Sequence, residues 1–185
     1  GSGLVAIDPV LGRIAFADAP ASTPLVSFHY GYTIAIGGGE YERGDPAVPV
    51  TPLHTVQGGA ALQPALNAVQ NGGTVEVTDS RRYVETPGIT VNVGKTVVLR
   101  AVNGARPLLA ASGDIALNLG AGATLILDGW VISGGTLRMA AFADTQPRYL
   151  VLRDCTLVPG PRTKGNGSPP QDYDPGLVVS HAFAR

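Results

Sequence analysis

Short aliphatic segments recur along the second half of the chain at nearly constant spacing, and this recurrence restricts the fold more than any other feature. Thr124-Leu125-Ile126-Leu127-Asp128-Gly129-Trp130-Val131-Ile132 aligns with Tyr149-Leu150-Val151-Leu152-Arg153-Asp154-Cys155-Thr156-Leu157 at an offset of 25. Thr96-Val97-Val98-Leu99-Arg100 aligns with the first of these at an offset of 28. Another short strand recurs as Ile89-Thr90-Val91, Ile115-Ala116-Leu117 and Leu137-Arg138-Met139, at offsets of 26 and 22. A period of roughly 20–30 residues with about three short strands per repeat predicts a solenoid. Its coils stack about 4.8 Å apart and bury alternate aliphatics as continuous ladders.

The composition is consistent with this. Twenty-five Gly and 15 Pro in 185 residues demand many turns and leave room for few long helices, while 44 % apolar residues suffice for a core. Only 15 % of the chain is charged and the net charge is −1, which argues against nucleic-acid binding driven by phosphate neutralisation. No apolar run reaches 18 residues, so no membrane span is expected. A single cysteine, Cys155, excludes an intramolecular disulfide, a zinc cluster and a CxxC redox pair. His29, His54 and His181 lack metal-ligand spacing, and neither a metal nor a cofactor is predicted.

Along the chain, Gly1-Ser2-Gly3 reads as a tag scar, so the chain is expected to be an excised piece of a longer protein. Residues 4–45 read as a β-rich N-terminal module. Leu4-Val5-Ala6-Ile7 and Arg13-Ile14-Ala15-Phe16 flank a turn at Asp8-Pro9 and form a hairpin. Val26, Phe28, Tyr30, Tyr32, Ile34 and Ile36 alternate as in a half-buried strand, which Gly37-Gly38-Gly39 ends. Pro46, Pro49 and Pro52 make residues 46–58 a stiff linker with little room for a helix or central strand. Residues 59–71 carry Ala61, Leu62, Leu66 and Val69 at helical spacing and stop at Asn71-Gly72-Gly73, a helix that leads into the solenoid of residues 59–185. Residues 159–175, with five prolines, read as a loop insertion. Leu177-Val178-Val179-Ser180 opens another coil, and with no capping helix after it the solenoid is expected to be truncated at the C-terminus.

The stretch Leu62-Gln63-Pro64-Ala65-Leu66-Asn67-Ala68-Val69-Gln70-Asn71-Gly72-Gly73-Thr74-Val75-Glu76-Val77, followed by Tyr83 and Ile89-Thr90-Val91, resembles the pectin lyase-like superfamily over residues 59–158. The resemblance implies an all-β fold: a short right-handed parallel β-helix of about three to four coils whose N-terminal end is capped by an amphipathic helix. Asp8-Pro9-Val10-Leu11-Gly12-Arg13-Ile14-Ala15-Phe16, Val26-Ser27-Phe28-His29-Tyr30-Gly31-Tyr32 and Ile36-Gly37-Gly38-Gly39-Glu40-Tyr41-Glu42-Arg43 are similar to segments of phage-tail-like and contractile-injection-system proteins. Localisation is not readable from the sequence, with an extracellular or particle-associated setting favoured.

Enzymes of that superfamily act on acidic polysaccharides from one outer face. With Val97, Leu99, Leu125, Leu127, Leu150 and Leu152 facing inward, strand alternation puts Arg100, Asp128 and Arg153 outside as one column. A catalytic column would use Asp128 as acid or base and the arginines as clamps for a sugar carboxylate. The favoured expectation is a surface ion ladder, each pair contributing at most about 1 kcal/mol, because one carboxylate cannot supply the paired acid and base of glycoside hydrolysis. Asp154 adjoins the column at a bend, and Asp114 lies on another face. Cys155 reads as a small core residue, and Asp172, Tyr173 and Asp174 as part of the loop insertion. Val98, Ile126 and Val151 form an outward aliphatic stripe of the kind that marks a covered surface or interface. The expected function is a non-catalytic structural or interaction module of a larger assembly, phage-tail-like or cell-surface, whose partner is protein: a second copy or the rest of the parent chain. The alternatives are a fragment of a polysaccharide lyase or glycoside hydrolase, or a glycan-binding module, with polysaccharide as partner.

Overall fold

The computed structural model describes residues 5–8, 13–18, 20, 36–158 and 177–179. The chain forms two compact units, residues 1–34 and 35–185. In the first, β1 (Val5–Asp8) pairs antiparallel with β2 (Arg13–Phe16), Val5 opposite Phe16 and Asp8 opposite Arg13. The tag scar, the loop insertion and all of the alternating strand expected before Ile36 lie outside the described residues.

The second unit is nearly all β, a solenoid of about four turns with three parallel sheets as its faces. The first face holds β3 (Leu53–Val56), β4 (Gly73–Val77), β7 (Thr96–Ala101), β10 (Thr124–Asp128) and β13 (Tyr149–Arg153), stacked in that order. The second holds β5 (Arg82–Tyr83), β8 (Leu108–Ala110), β11 (Val131–Ser133) and β14 (Thr156–Val158). The third holds β6 (Ile89–Val91), β9 (Ile115–Leu119), β12 (Leu137–Met139) and β15 (Leu177–Val179). On the first face the offsets of 28 and 25 are the true register: Leu125 lies between Val97 and Leu150, and Leu127 between Leu99 and Leu152. On the third face Ile89 pairs with Leu117, an offset of 28 rather than 26. A slip of two residues leaves every side chain on the same face, so the hydrophobic pattern alone could not detect it.

The lumen is filled by ladders one residue wide. Val75, Val77, Val97, Leu99, Leu125 and Leu127 are fully buried on the first face, and Tyr83, Leu109 and Ile132 stack on the second. Trp130 is also fully buried. Its ring meets Tyr83 edge-on at 6.1 Å and its Nε1 donates to the Leu99 carbonyl at 3.2 Å, which satisfies the one polar atom it carries inside. Burial also pushes the Tyr83 hydroxyl up to about 12, with a further contribution from its hydrogen bond to Asp79.

Two expectations about the entry to the solenoid need correction. The cap helix α1 spans Gln63–Ala68 rather than 59–71, although Leu62, Leu66 and Val69 do plug the lumen. Its first turn is held by the Glu85 carboxylate, which accepts from Leu62 N at 2.6 Å and Gln63 N at 3.1 Å. The proline linker is not only a linker: Leu53–Val56 forms β3, parallel to β4 and at the sheet edge. An edge strand pairs on one side, and Pro52 precedes it, so the prolines do not bar it. Gly73 permits this close approach. Its φ is +145°, and a Cβ there would lie 2.8 Å from the Pro52 carbonyl oxygen.

The interior ladder also weakens at the far end. Leu150 and Leu152 line the last described coil, but Leu150 is only half-buried and Leu152 is 37 % exposed, because β13 is an edge strand among the described residues. The interior ladder is therefore tested at Leu127, in the third coil and 0 % exposed. Leu127→Ala is expected to cost about 2–5 kcal/mol. Chemical denaturation showing a loss below about 1 kcal/mol would refute the assignment.

Candidate functional site

The column and the stripe singled out in the sequence both lie on the outer surface of the first face. Residues 36–50, expected to belong partly to the N-terminal module, instead run as a strap across that surface. Gly38 N donates to Thr156 Oγ1 in the last coil at 3.1 Å. The Tyr41 hydroxyl sits 2.6 Å from the Gly37 carbonyl and 3.1 Å from Asp154 Oδ1, its one proton serving both acceptors. Burial raises the pKa of that hydroxyl, and the hydrogen bond to Asp154 raises it further. At the other end Val50 N donates to Thr74 Oγ1 at 2.6 Å, and the Thr74 hydroxyl returns a hydrogen bond to the Val50 carbonyl at 2.8 Å. The strap thus touches the solenoid from its last described coil back to its first.

Strand register adds Glu76 to the predicted column, giving Glu76, Arg100, Asp128 and Arg153 on successive rungs with alternating sign. These groups do not form a free surface ladder. Asp128 is 0 % exposed. Its Oδ2 accepts from Ala47 N at 2.5 Å, and its Oδ1 lies 3.3 Å from Arg43 Nε, whose side chain is equally buried. Arg43 Nη2 donates to the Ala101 carbonyl at 2.6 Å, while its backbone exchanges hydrogen bonds with the Asn103 side chain. Arg100 pairs with Glu76, Nε to Oε2 at 2.7 Å, and also donates to the Ala47 carbonyl at 2.6 Å. Arg153 pairs with Asp45 at 2.5 Å. Each charge of the column is therefore spent on the strap or on a neighbouring rung.

Gly129 makes the buried pair possible. Its φ is +80°, and a Cβ there would overlap the Arg43 guanidinium. It follows Asp128 at the bend where Asp154 follows Arg153 one coil later, and Asp154 also takes a positive φ, of 45°. Among the described residues Arg43 Nε and Nη1 and Asp128 Oδ1 have no hydrogen-bond partner, so these atoms meet by Coulombic attraction alone, while Arg43 Nη2 and Asp128 Oδ2 carry the hydrogen bonds of the pair.

The aliphatic stripe is graded. Val98 is fully buried although it points outward, Ile126 is half-buried and Val151 is 38 % exposed. Val98 lies one rung from Thr74, where the strap is bonded, whereas Val151 lies on the edge strand.

Other candidates separate from this site. Cys155 packs against the core, its sulfur 3.4 Å from the Leu127 carbonyl and 3.2 Å from that of Arg153, and burial raises its thiol pKa. Asp114 pairs with Arg138 at 2.5 Å on the third face. His54 is half-buried in β3, while His29, His181, Asp172, Tyr173 and Asp174 lie outside the described residues. Among the described residues no three His, Cys, Asp or Glu side chains converge as a metal site.

A groove of about 360 Å³ opens at the corner after the third face, lined in part by Thr90, Asn118, Phe142 and Arg148. The Arg148 guanidinium lies 3.8 Å over the Phe142 ring, donates to the Leu119 carbonyl at 2.9 Å and forks onto Asp144 at 2.7 and 2.8 Å. Those two hydrogen bonds from Arg148, and a third from Gln146 N, bring the Asp144 carboxyl down to about 2.

Two tests follow. Asp128→Asn leaves Arg43 as an uncompensated buried charge and is expected to cost about 3–5 kcal/mol. Arg43→Met added to it removes that charge while the Asn oxygen still accepts from Ala47 N, and recovers most of the loss. A single-variant loss under about 1 kcal/mol in urea would restore the surface ladder. Asp144 has a folded pKa below its unfolded value, so its contribution is present above about pH 4 and disappears as pH falls towards 2. The Gln146 amide should follow that titration by NMR, and a midpoint near 4 would show that the Arg148 fork does not form.

No protein-family model matches the chain, and comparison with curated proteins and with solved structures likewise returned no match, so the functional reading rests on the geometry of the site.

Proposed function

We propose that the chain is a non-catalytic structural and interaction module of a larger assembly, of the phage-tail-like or cell-surface kind suggested by the resemblances in its sequence. One observation carries this reading: the charges of the first face are consumed internally. A general acid or base must reach its substrate, and Asp128 is buried against Arg43 and Ala47 N. Arg100 and Arg153, the clamps a catalytic column would need, are paired with Glu76 and Asp45. The strap across this surface stands where a substrate of a pectin lyase-like enzyme would be expected. A second reading, a glycan-binding module, is supported by the groove with Thr90, Asn118 and Arg148 on its walls.

Incubation with polygalacturonate and with alginate, with and without calcium, tests the first reading. Neither unsaturated products nor new reducing ends are expected. Product release that disappears in the folded Arg43→Met/Asp128→Asn variant would overturn it. Calorimetric titration with oligosaccharides of the same polymers tests the second, and heat that is lost in Asn118→Ala would favour glycan binding.

A further inference from the structure

The strap contains an Asp–Pro peptide bond, Asp45–Pro46, at the point where its chain stands clear of the solenoid. The Asp45 side chain is 88 % exposed, and a Cβ on the neighbouring Gly44 would meet nothing within 4 Å. The residues on either side are fixed. Arg43 and Ala47 N both meet the buried Asp128, and Arg100 donates to the Ala47 carbonyl. Between these anchors Arg153 Nη2 donates twice, to Asp45 Oδ2 at 2.5 Å and to the Asp45 carbonyl oxygen. That carbonyl is the acyl half of the Asp45–Pro46 bond. A salt bridge needs only the carboxylate, whereas the second hydrogen bond polarises the amide.

An aspartate carboxylate is a nucleophile tethered to its own carbonyl carbon, and closing that ring gives a five-membered anhydride. Two features of an ordinary peptide bond oppose it. The next backbone nitrogen competes by attacking the side-chain carboxyl group, and that nitrogen is a poor leaving group. Proline has no N–H, which closes the competing route. Its tertiary amide nitrogen is also more basic than a secondary one and takes up a proton more readily. Arg153 supplies the remaining requirement, a cationic donor on the oxygen where negative charge gathers. Loss of such a donor slows acyl chemistry about 10²–10³-fold. We propose that Asp45–Pro46 is a self-cleavage site, with the Asp45 carboxylate as nucleophile and Arg153 as donor to the developing oxyanion. Asp45 Oδ1 bonds to the Asp45 carbonyl carbon and the C–N bond to Pro46 breaks. The electron pair stays on the nitrogen, which takes a proton from water. The hydroxide so formed opens the anhydride, leaving two carboxyl groups on Asp45 and Pro46 as a new N-terminus. One water is consumed and nothing is oxidised or reduced. The step runs once, on its own chain, and therefore goes beyond the assembly reading without needing an external substrate. Residues 1–45 stay bound after the cut through Arg43 and Asp128.

The test is mass spectrometry of the full chain held in warm, mildly acidic buffer, which supplies the proton that the Pro46 nitrogen needs. The sequence provides two internal standards, the Asp–Pro bonds Asp8–Pro9 and Asp174–Pro175. Pieces 1–45 and 46–185 should form about 10²–10³ times faster than cuts at either standard. In urea, where Arg153 no longer meets Asp45, the three bonds should cleave at similar rates. Hydroxylamine in the buffer should convert the Asp45 end to a hydroxamate by trapping the anhydride, which water-mediated cleavage by a contaminating protease does not yield. Arg153→Gln should remove the preference for Asp45–Pro46, and Asp45→Asn should abolish that cut with the circular dichroism spectrum unchanged. An Asp45–Pro46 bond that stays intact, or that breaks no faster than the standards in the folded chain, overturns the proposal. So does a cut that persists in Asp45→Asn. Polysaccharide cleavage would instead overturn the assembly reading and leave self-cleavage standing, so the two fail separately.

Discussion

Parallel strands stacked in register on three faces are the constraint on which the rest of this molecule depends. Once Val97, Leu125 and Leu150 share one ladder and Leu99, Leu127 and Leu152 the next, the pleat decides the direction of every other side chain on that face. Glu76, Arg100, Asp128 and Arg153 must then form an outward column, and Val98, Ile126 and Val151 an outward stripe. The lumen is narrow, so the ladders admit aliphatics and the edge-on pair of Tyr83 and Trp130 but leave no room for chemistry inside.

The outer face is made into a second, smaller interior by the strap. Covering an outward column of charges is expensive unless each finds a partner, and the partners are distributed along one short stretch: Arg43 for Asp128, Asp45 for Arg153, and the Ala47 backbone for both Arg100 and Asp128. The Arg43–Asp128 pair is under-bonded for two buried ions. Pairs of this kind add little net stability over an apolar substitute. The charges of this column hold a segment of backbone against all four coils.

Stability along the axis is uneven for the same reason. The first three coils have a neighbour on each side or the α1 plug, and their ladders are sealed. The last described coil has a neighbour on one side, and its apolar residues remain partly open. In a solenoid each repeat is stabilised mainly by its neighbours.

Much of the fold was legible from residue pattern. The repeat predicted the parallel ladders of the first face to the residue, and the β1–β2 hairpin followed from its turn, because both signals are local and periodic. Glu76 was within reach of the same pattern, since Thr74-Val75-Glu76-Val77 repeats the phase of Thr96-Val97-Val98-Leu99-Arg100. Register on the third face slipped by two, since a two-residue shift conserves inward and outward. What no periodicity could reveal was the strap: Arg43, Asp45 and Ala47 lie outside any repeat, and their partners are 53 to 108 residues away. Sequence alone determined which way Asp128 points. Only the tertiary structure decided that it is buried, because burial depends on what another part of the chain lays over it.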